Sequence, residues 1–386
     1  MASLTKTQVF ILAVTAGISV ANVYYSQPIL NAIAHTFRIP AEQAGIVSVL
    51  SQIGYGMGLF FLTPVGDKID RKKLILYLQI GLILAILTVA LSPNSWFLYA
   101  GALLIGVFSV VAQVILPMAA SLVQENRGKV VAQIFTGILV GILVARVFSG
   151  FITNWLGWQY VYFLSAGMVL FTAVLMQADF PTTAERFNGT YISLLKSTLI
   201  QLKRFPLLRR TALTGMLAFG TLSSFWVTLT FYLGGAPFNY APSKIGLFGL
   251  LAAAGALIAP VFGKLADKGS HSRSLLFSTG LTLISIVILK LFPGTVAAIW
   301  VTVILLDIGV QATQVTNIAI IYGLDPLANS RINTVYMTSY FIGGALGAYL
   351  SLLCWNAGGW GLSTSFMILL AALAILNNVL GRRQSS

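Results

Sequence analysis

Nine acidic residues and 23 Lys or Arg residues are spread over 386 positions, and two of them stand apart by where they lie. Asp307 falls in the middle of one apolar run and Arg146 within another. Glu42, Asp67, Asp70, Glu125, Asp179, Glu185, Asp267 and Asp325 all fall in or beside polar segments. A charge at the centre of a hydrocarbon layer costs about 2.5–3.5 kcal/mol on insertion scales, so such a residue is retained where it lines water, pairs or acts. Gln311 follows Asp307 by one helical turn on the same face, with Asn317 further along. A carboxyl group held between a low dielectric and a nearby guanidinium can take up and release a proton. Asp307 is therefore expected to couple protons or to bind a substrate cation; the alternative is a structural, hydrogen-bonding Asp. Arg146 is expected to bind an anionic substrate or to tune Asp307. The alternative is an Arg that holds backbone carbonyls within its own half.

The segments that must position these two residues are apolar. Hydrophobic residues make up 58% of the chain and charged ones 8%, with a mean hydropathy of +0.90; soluble domains carry about 25% charged residues. This excludes a soluble enzyme and a disordered chain. Long unbroken apolar runs also exclude the alternating pattern of an outer-membrane barrel. The net charge of +14 comes from short basic clusters between apolar runs rather than from one basic face, so no nucleic-acid partner is expected. The single cysteine, Cys354, permits no disulfide or cysteine-based metal site within the chain. His35 and His271 lie far apart with no metal-ligand spacing, and no Walker or glycine-rich phosphate loop occurs. The expectations are no enzymatic activity, no cofactor, and a proton or other ion gradient, or the substrate's own gradient, as the energy source. One charge crossing 100 mV is worth about 2.3 kcal/mol.

A helix needs roughly 20 apolar residues to cross a bilayer. Twelve such spans are expected: 8–33, 43–65, 72–91, 95–122, 130–153 and 158–177, then 211–234, 242–264, 273–292, 295–323, 331–353 and 359–380. The N-terminal run is read as span one rather than a cleaved signal. Residues 178–210 form the longest polar stretch. Leu194, Leu195, Leu199 and Leu202 recur there among bases, giving either an amphipathic helix on the membrane surface or a plain solvated loop. With the N-terminus inside, Arg38, Lys244 and Lys290 alone face out. The other bases, Arg146 apart, face in. The asymmetry predicts cytoplasmic termini.

The halves echo each other. Asp67 matches Asp267, Arg127 matches Arg331, and Trp158 matches Trp360, all at nearly one offset. That predicts a duplicated six-helix unit, divided as 1–177, linker 178–210 and 211–386, with a site at the midplane between the repeats.

The loop Thr63-Pro64-Val65-Gly66-Asp67-Lys68-Ile69-Asp70-Arg71-Lys72-Lys73 resembles the loop motif Gly-x-Leu-Ala-Asp-Arg-x-Gly-Arg-Arg/Lys of the major facilitator superfamily. Thr63 and Asp70 stand where that family has Gly. A second copy runs from Gly263 through Asp267 and Lys268 to His271. The segments Asn22–Pro28, Leu306–Gln311 and Asn333–Gly344 are similar to the acriflavine-sensitivity efflux branch. Arg146 stands where antiporters of the family often have Pro, and the fourth span carries Gln113 in place of a base.

The resemblance implies an all-α membrane protein with two pseudo-symmetric six-helix bundles and alternating access. It further implies a monomer in lipid at a bacterial inner membrane, exporting small amphipathic organic molecules in exchange for protons. The alternatives are a uniporter or importer of a sugar, amino acid or siderophore-like metabolite, and, from another class, a non-transporting receptor. It places Asn22, Tyr25, Gln27, Gln113, Trp226, Gln311, Tyr336 and Tyr340 as cavity candidates. It places Asp67 against the cytoplasmic end of span eleven. Arg71 reaching Glu125 and Arg127 reaching Asp67 would lock that loop, with Asp267 and Lys268 as the second copy. Pro28 and Pro117 are expected to kink their helices.

Overall fold

The computed structural model describes residues 4–123, 127–182, 189–253, 271–325 and 328–382, and no strand occurs among them. Helix starts carry the caps their sequences allow. Thr5 and Gln8 form a reciprocal capping box, Asp70 accepts from the Lys72 amide, and Asn94 accepts from the amides of Trp96 and Phe97. Nine helices among the described residues are long and apolar enough to cross a membrane. Three features relate these nine to twelve crossings. Span one is broken: helix Lys6–Ala21 gives way to turns, a short 3-10 segment at Gln27–Ile29, and helix Leu30–Phe37. Pro28, which has no N–H to donate, sits in that break. Span eight is described only at its start, Pro242–Leu251. Spans eleven and twelve run as one helical segment, Asn329–Arg382, interrupted at Gly358 and Gly359; Gly359 has φ 59° and ψ −150°, a conformation open to glycine.

The remaining spans are Ala41–Phe61, Arg71–Ala90, Ser95–Leu122, Arg127–Trp155, Trp158–Asp179, Pro206–Gly234, His271–Leu291 and Val296–Tyr322. Span four breaks between Phe108 and Val111, well before Pro117, which stays inside helix Val111–Leu122. The expectation that Pro117 breaks its helix is therefore corrected: the break lies before Val111, beyond the i−4 carbonyl that a proline disturbs. Apolar side chains cover the outside as well as the interior: Leu84 is 62% exposed and Phe171 64% exposed. This is the mark of helices solvated by lipid.

Each half packs by the same scheme. Span one lies on spans five and six in the first half, and span seven on spans eleven and twelve in the second. The two matched tryptophans occupy equivalent corners. Trp158 donates its indole N–H to Thr36 Oγ1 at 2.9 Å, where span one ends. Trp360 stacks on Tyr232, near the end of span seven, with centroids 4.0 Å apart. Gln8 Nε2 donates to Asp179 O at 2.9 Å, and Arg210 Nε donates to Asn377 O at 3.1 Å. Each half thus starts and finishes at one face, called here the terminal face.

The halves meet along two seams, span two on span eleven and span five on span eight. Away from the terminal face they interlock. A Cβ on Gly150 would lie 2.5 Å from Pro242 O, and one on Gly45 2.5 Å from the Leu352 side chain. Asn31 Nδ2 donates to Thr230 O at 2.8 Å, and Thr230 Oγ1 donates to Gln27 O at 2.6 Å. Toward the terminal face the halves part around a vestibule of about 360 Å³, with Asp67 and Arg71 on one wall and Asn329, Ser330 and Arg331 on the other. Helix Tyr191–Arg204 of the linker lies beneath it. Leu194 and Thr198 face the vestibule, while Ile192, Leu199 and Ile200 are exposed.

Candidate functional site

A cavity of about 100 Å³ lies between the halves, lined from one side by Tyr24, Gln27, Tyr55, Gln113 and Arg146 and from the other by Ser223, Trp226, Asp307, Gln311 and Tyr340. Gln113 and Met337 line both this cavity and the vestibule, so the two spaces meet there.

Arg146 is buried, at 4% exposure. Its Nε donates to Gln27 Oε1 at 2.9 Å. Its guanidinium lies over the Trp226 ring at 4.0 Å and near the Tyr24 ring at 5.4 Å, a cation–π arrangement worth about 2 kcal/mol when desolvated. The backbone break in span one is what turns the Gln27 side chain toward Arg146. The approach of span eight is equally specific: a Cβ on Gly249 would sit 2.9 Å from Arg146 Cβ. The reading of Arg146 as bound to carbonyls of its own half is corrected. Its side chain bonds the Gln27 amide and spans the seam to Trp226, because the cavity offers an acceptor and a π-face.

Asp307 projects from the middle of Val296–Tyr322 and is 5% exposed. Its Oδ2 has no hydrogen-bond partner, and neither has Trp226 Nε1. Buried polar atoms are nearly always satisfied, so two orphans facing one cavity mark a place where a ligand, proton or water supplies the missing partners. Arg146 and Asp307 act on each other electrostatically, yet no ion pair joins them.

The other sequence candidates divide. Gln27, Gln113, Trp226, Gln311 and Tyr340 line the cavity with the two charges. Gln113 Nε2 donates to Tyr55 Oη at 3.4 Å, and Tyr340 stacks on Phe219 at 4.1 Å. Asn22, Tyr25 and Tyr336 do not line it. Asn22 Oδ1 accepts from Ser165 Oγ at 2.8 Å, tying span one to span six. Tyr25 packs on Phe148 in the same half. Tyr336 Oη accepts from Asn317 Nδ2 at 3.3 Å inside the second half. The turn at residues 22–26 explains the first two, since it rotates them off the face a continuous helix would present. Tyr24, Tyr55, Ser223 and Gln314 line the cavity without having been singled out. Helical spacing could have found two of these: Ser223 is three residues before Trp226, and Gln314 three after Gln311.

At the terminal face, Arg71 Nη2 pairs with Asp67 Oδ1 at 3.0 Å, and its Nε and Nη1 donate to Gly66 O and Pro117 O, each at 3.1 Å. Arg127 turns away from Asp67 and donates Nε to Val123 O at 2.7 Å. The expected Arg127–Asp67 contact is thus replaced by the intraloop Arg71–Asp67 pair, which lies one turn apart on the local backbone. Asp67 makes no hydrogen bond to span eleven; the vestibule separates them. Glu125, Asp267 and Lys268 lie outside the described residues.

Residues 10–348 match the Major Facilitator Superfamily. The chain is 37% identical to the uncharacterized transporter YgaY of Escherichia coli O157:H7 over 358 residues, covering 92% of this chain and 91% of that one. It is 23% identical to a Helicobacter pylori protein (strain 26695) named "Probable sugar efflux transporter", over 88% of this chain and 86% of the other. Among solved structures, a variant of the nucleoside transporter NupG superposes with a TM-score of 0.79 at 11% identity, over 96% of this chain and 98% of that one. A POT family transporter in complex with a thioalcohol-conjugated peptide superposes with a TM-score of 0.78 at 12% identity, over 98% and 96%. With a two-half helical bundle closed on one face, open on the other and hollow between, the chain is a membrane transporter belonging to the Major Facilitator Superfamily.

Proposed function

We propose that this transporter exports small amphipathic organic molecules in exchange for protons across a bacterial inner membrane, with its terminal face in the cytoplasm. The observation that carries the reading is the placement of Asp307. Among the described residues it is the acid that lines the central cavity, its Oδ2 lacks a partner, and a guanidinium from the opposite half faces the same space. A neutral carboxyl there avoids the cost of an unpaired buried charge, whereas a carboxylate is drawn toward Arg146 across the seam. Proton binding and the approach of the halves are thereby linked. The lining suits the cargo class: aromatic rings from Tyr24, Tyr55, Trp226, Phe219 and Tyr340 supply apolar area, and Gln27, Gln113, Gln311 and Gln314 supply donors and acceptors.

Asp67 and Arg71 fit a role in closing the vestibule. With the halves together, the Asp67 carboxylate would reach the amide N–H groups at the start of span eleven, where the helix dipole favours a negative charge. The basic residues at the terminal face support the cytoplasmic assignment.

A second reading, a sugar as cargo, is favoured by the four amide side chains beside an indole and by the likeness to the Helicobacter pylori protein named for sugar efflux. Proteoliposomes test both. A cargo identified by thermal-shift screening should move the luminal pH as it crosses the membrane, and Asp307→Asn should abolish that movement. Cargo flux indifferent to the proton gradient would refute the exchange mechanism.

A further inference from the structure

Outside the central cavity, at the terminal face, spans seven and twelve leave a groove of about 550 Å³ lined by Leu207, Arg209, Arg210, Leu213, Asn377 and Leu380, among others. Its basic wall is held in place by backbone. Arg210 Nε and Nη2 donate to the carbonyls of Asn377 at 3.1 Å and Asn378 at 2.6 Å, and Asn377 Nδ2 donates back to Arg210 O at 3.0 Å. Arg209 Nη1 donates to Leu202 O at 3.2 Å and is exposed. Among the described residues the ion pairs are Arg71–Asp67 and Arg204–Asp325, and no described carboxylate pairs with Arg209 or Arg210. Two adjacent cations therefore share one groove with no counter-charge among the described residues.

The rest of the groove is apolar and turned outward. Leu207, Leu213 and Leu380 are 42%, 43% and 52% exposed. Leu207, Arg210 and Leu213 recur every third residue, so they share one side of span seven. Both arginines lie in the first turn or so of Pro206–Gly234, at the depth where a spanning helix meets the headgroups. Basic grooves between spans at this depth attract anionic headgroups, and an attraction of about 1 kcal/mol per basic residue is typical near such a surface.

We propose that this groove binds the phosphate headgroup of an anionic phospholipid, with its acyl chains lying along Leu207, Leu213 and Leu380. A lipid rather than free phosphate is the occupant because the anion site opens directly onto exposed leucines. Through Arg210 the lipid would brace span seven, which contributes Trp226 to the cavity, against span twelve.

The test uses the purified full chain in a neutral detergent, with phosphatidylglycerol or phosphatidylcholine of matched chains added. Native mass spectrometry counts retained lipid, and a melting curve reads stabilisation. Wild type is expected to retain at least threefold more phosphatidylglycerol than phosphatidylcholine and to melt several degrees higher with it. Arg209→Gln, whose fold is confirmed by its melting in phosphatidylcholine, should lose most of that preference; Lys73→Gln, elsewhere on the same face, should keep it. Equal retention of the two lipids overturns the proposal, as does an unchanged preference in Arg209→Gln. An equal loss in Lys73→Gln would overturn it in favour of general surface attraction. Stabilisation by glycerol phosphate alone, matching that of the lipid, would overturn the lipid as occupant.

Discussion

Arg146 and Asp307 look into one cavity from opposite halves of the bundle, and neither holds the other: Arg146 is bonded to Gln27 at 2.9 Å, while Asp307 Oδ2 has no partner. The pair is thus poised rather than locked. Release of Arg146 from Gln27 would let the guanidinium answer a charge on Asp307, and the cavity between spans five and ten would narrow.

Asp307→Asn keeps the shape and removes the exchangeable proton. Proton-driven transport is expected to fall at least tenfold, while binding of a neutral cargo changes less than threefold. Luminal pH dyes in proteoliposomes and thermal shift with cargo measure the two quantities. Proton-driven flux at the wild-type rate would remove Asp307 from the mechanism.

Arg146→Lys retains a charge but loses the planar contact with Trp226 and the Nε donor to Gln27. Arginine and lysine are not equivalent at a stacked, hydrogen-bonded position. Transport should drop about tenfold in Arg146→Lys and further in Arg146→Gln, with monodisperse elution confirming fold in both. If Lys restores full flux, charge alone suffices and the stacked geometry is dispensable.

Gly150→Val places a side chain against Pro242 O, which a Cβ would already approach to 2.5 Å. The face away from the termini should then fail to close, and the population should shift toward the state open on that face. Cysteine labelling near Asn31 by a membrane-impermeant reagent is expected to speed up severalfold. Unchanged labelling would show that the seam tolerates the added bulk.

Asp67→Asn breaks the pair with Arg71. Where Asp67 also steadies the closed vestibule, spin labels on Thr63 and Asn329 should report longer mean distances in Asp67→Asn under conditions that close this face in wild type. Identical distance distributions would leave Asp67 with a local loop role only.

Gly309→Ala tests packing inside the second half. The new Cβ would lie 2.5 Å from Thr282 Oγ1 and 2.8 Å from Ser278 O. Forcing an extra methyl into such a contact costs about 1–3 kcal/mol. The melting temperature should fall by several degrees without change in the cargo that is bound. An unchanged melting temperature would mean that spans nine and ten separate readily.

The sequence by itself determined the medium and the apolar spans, and it made Asp307 and Arg146 stand out as the charges inside them. Apolar runs long enough to cross hydrocarbon leave a chain few other places to go, and a lone acid or base inside one is conspicuous because burial is costly. It also marked the repeat, since Trp158 and Trp360 do occupy matching corners. Tertiary structure alone decided which polar side chains share a cavity. A break of a few residues in span one turns Gln27 inward and sends Asn22 and Tyr25 to neighbours in their own half. Helical periodicity holds only while the helix is continuous, and the rotation at a break depends on contacts made by distant residues. The same applies to Arg127, whose choice of Val123 O over Asp67 follows from local loop geometry that charge pairing on paper does not contain.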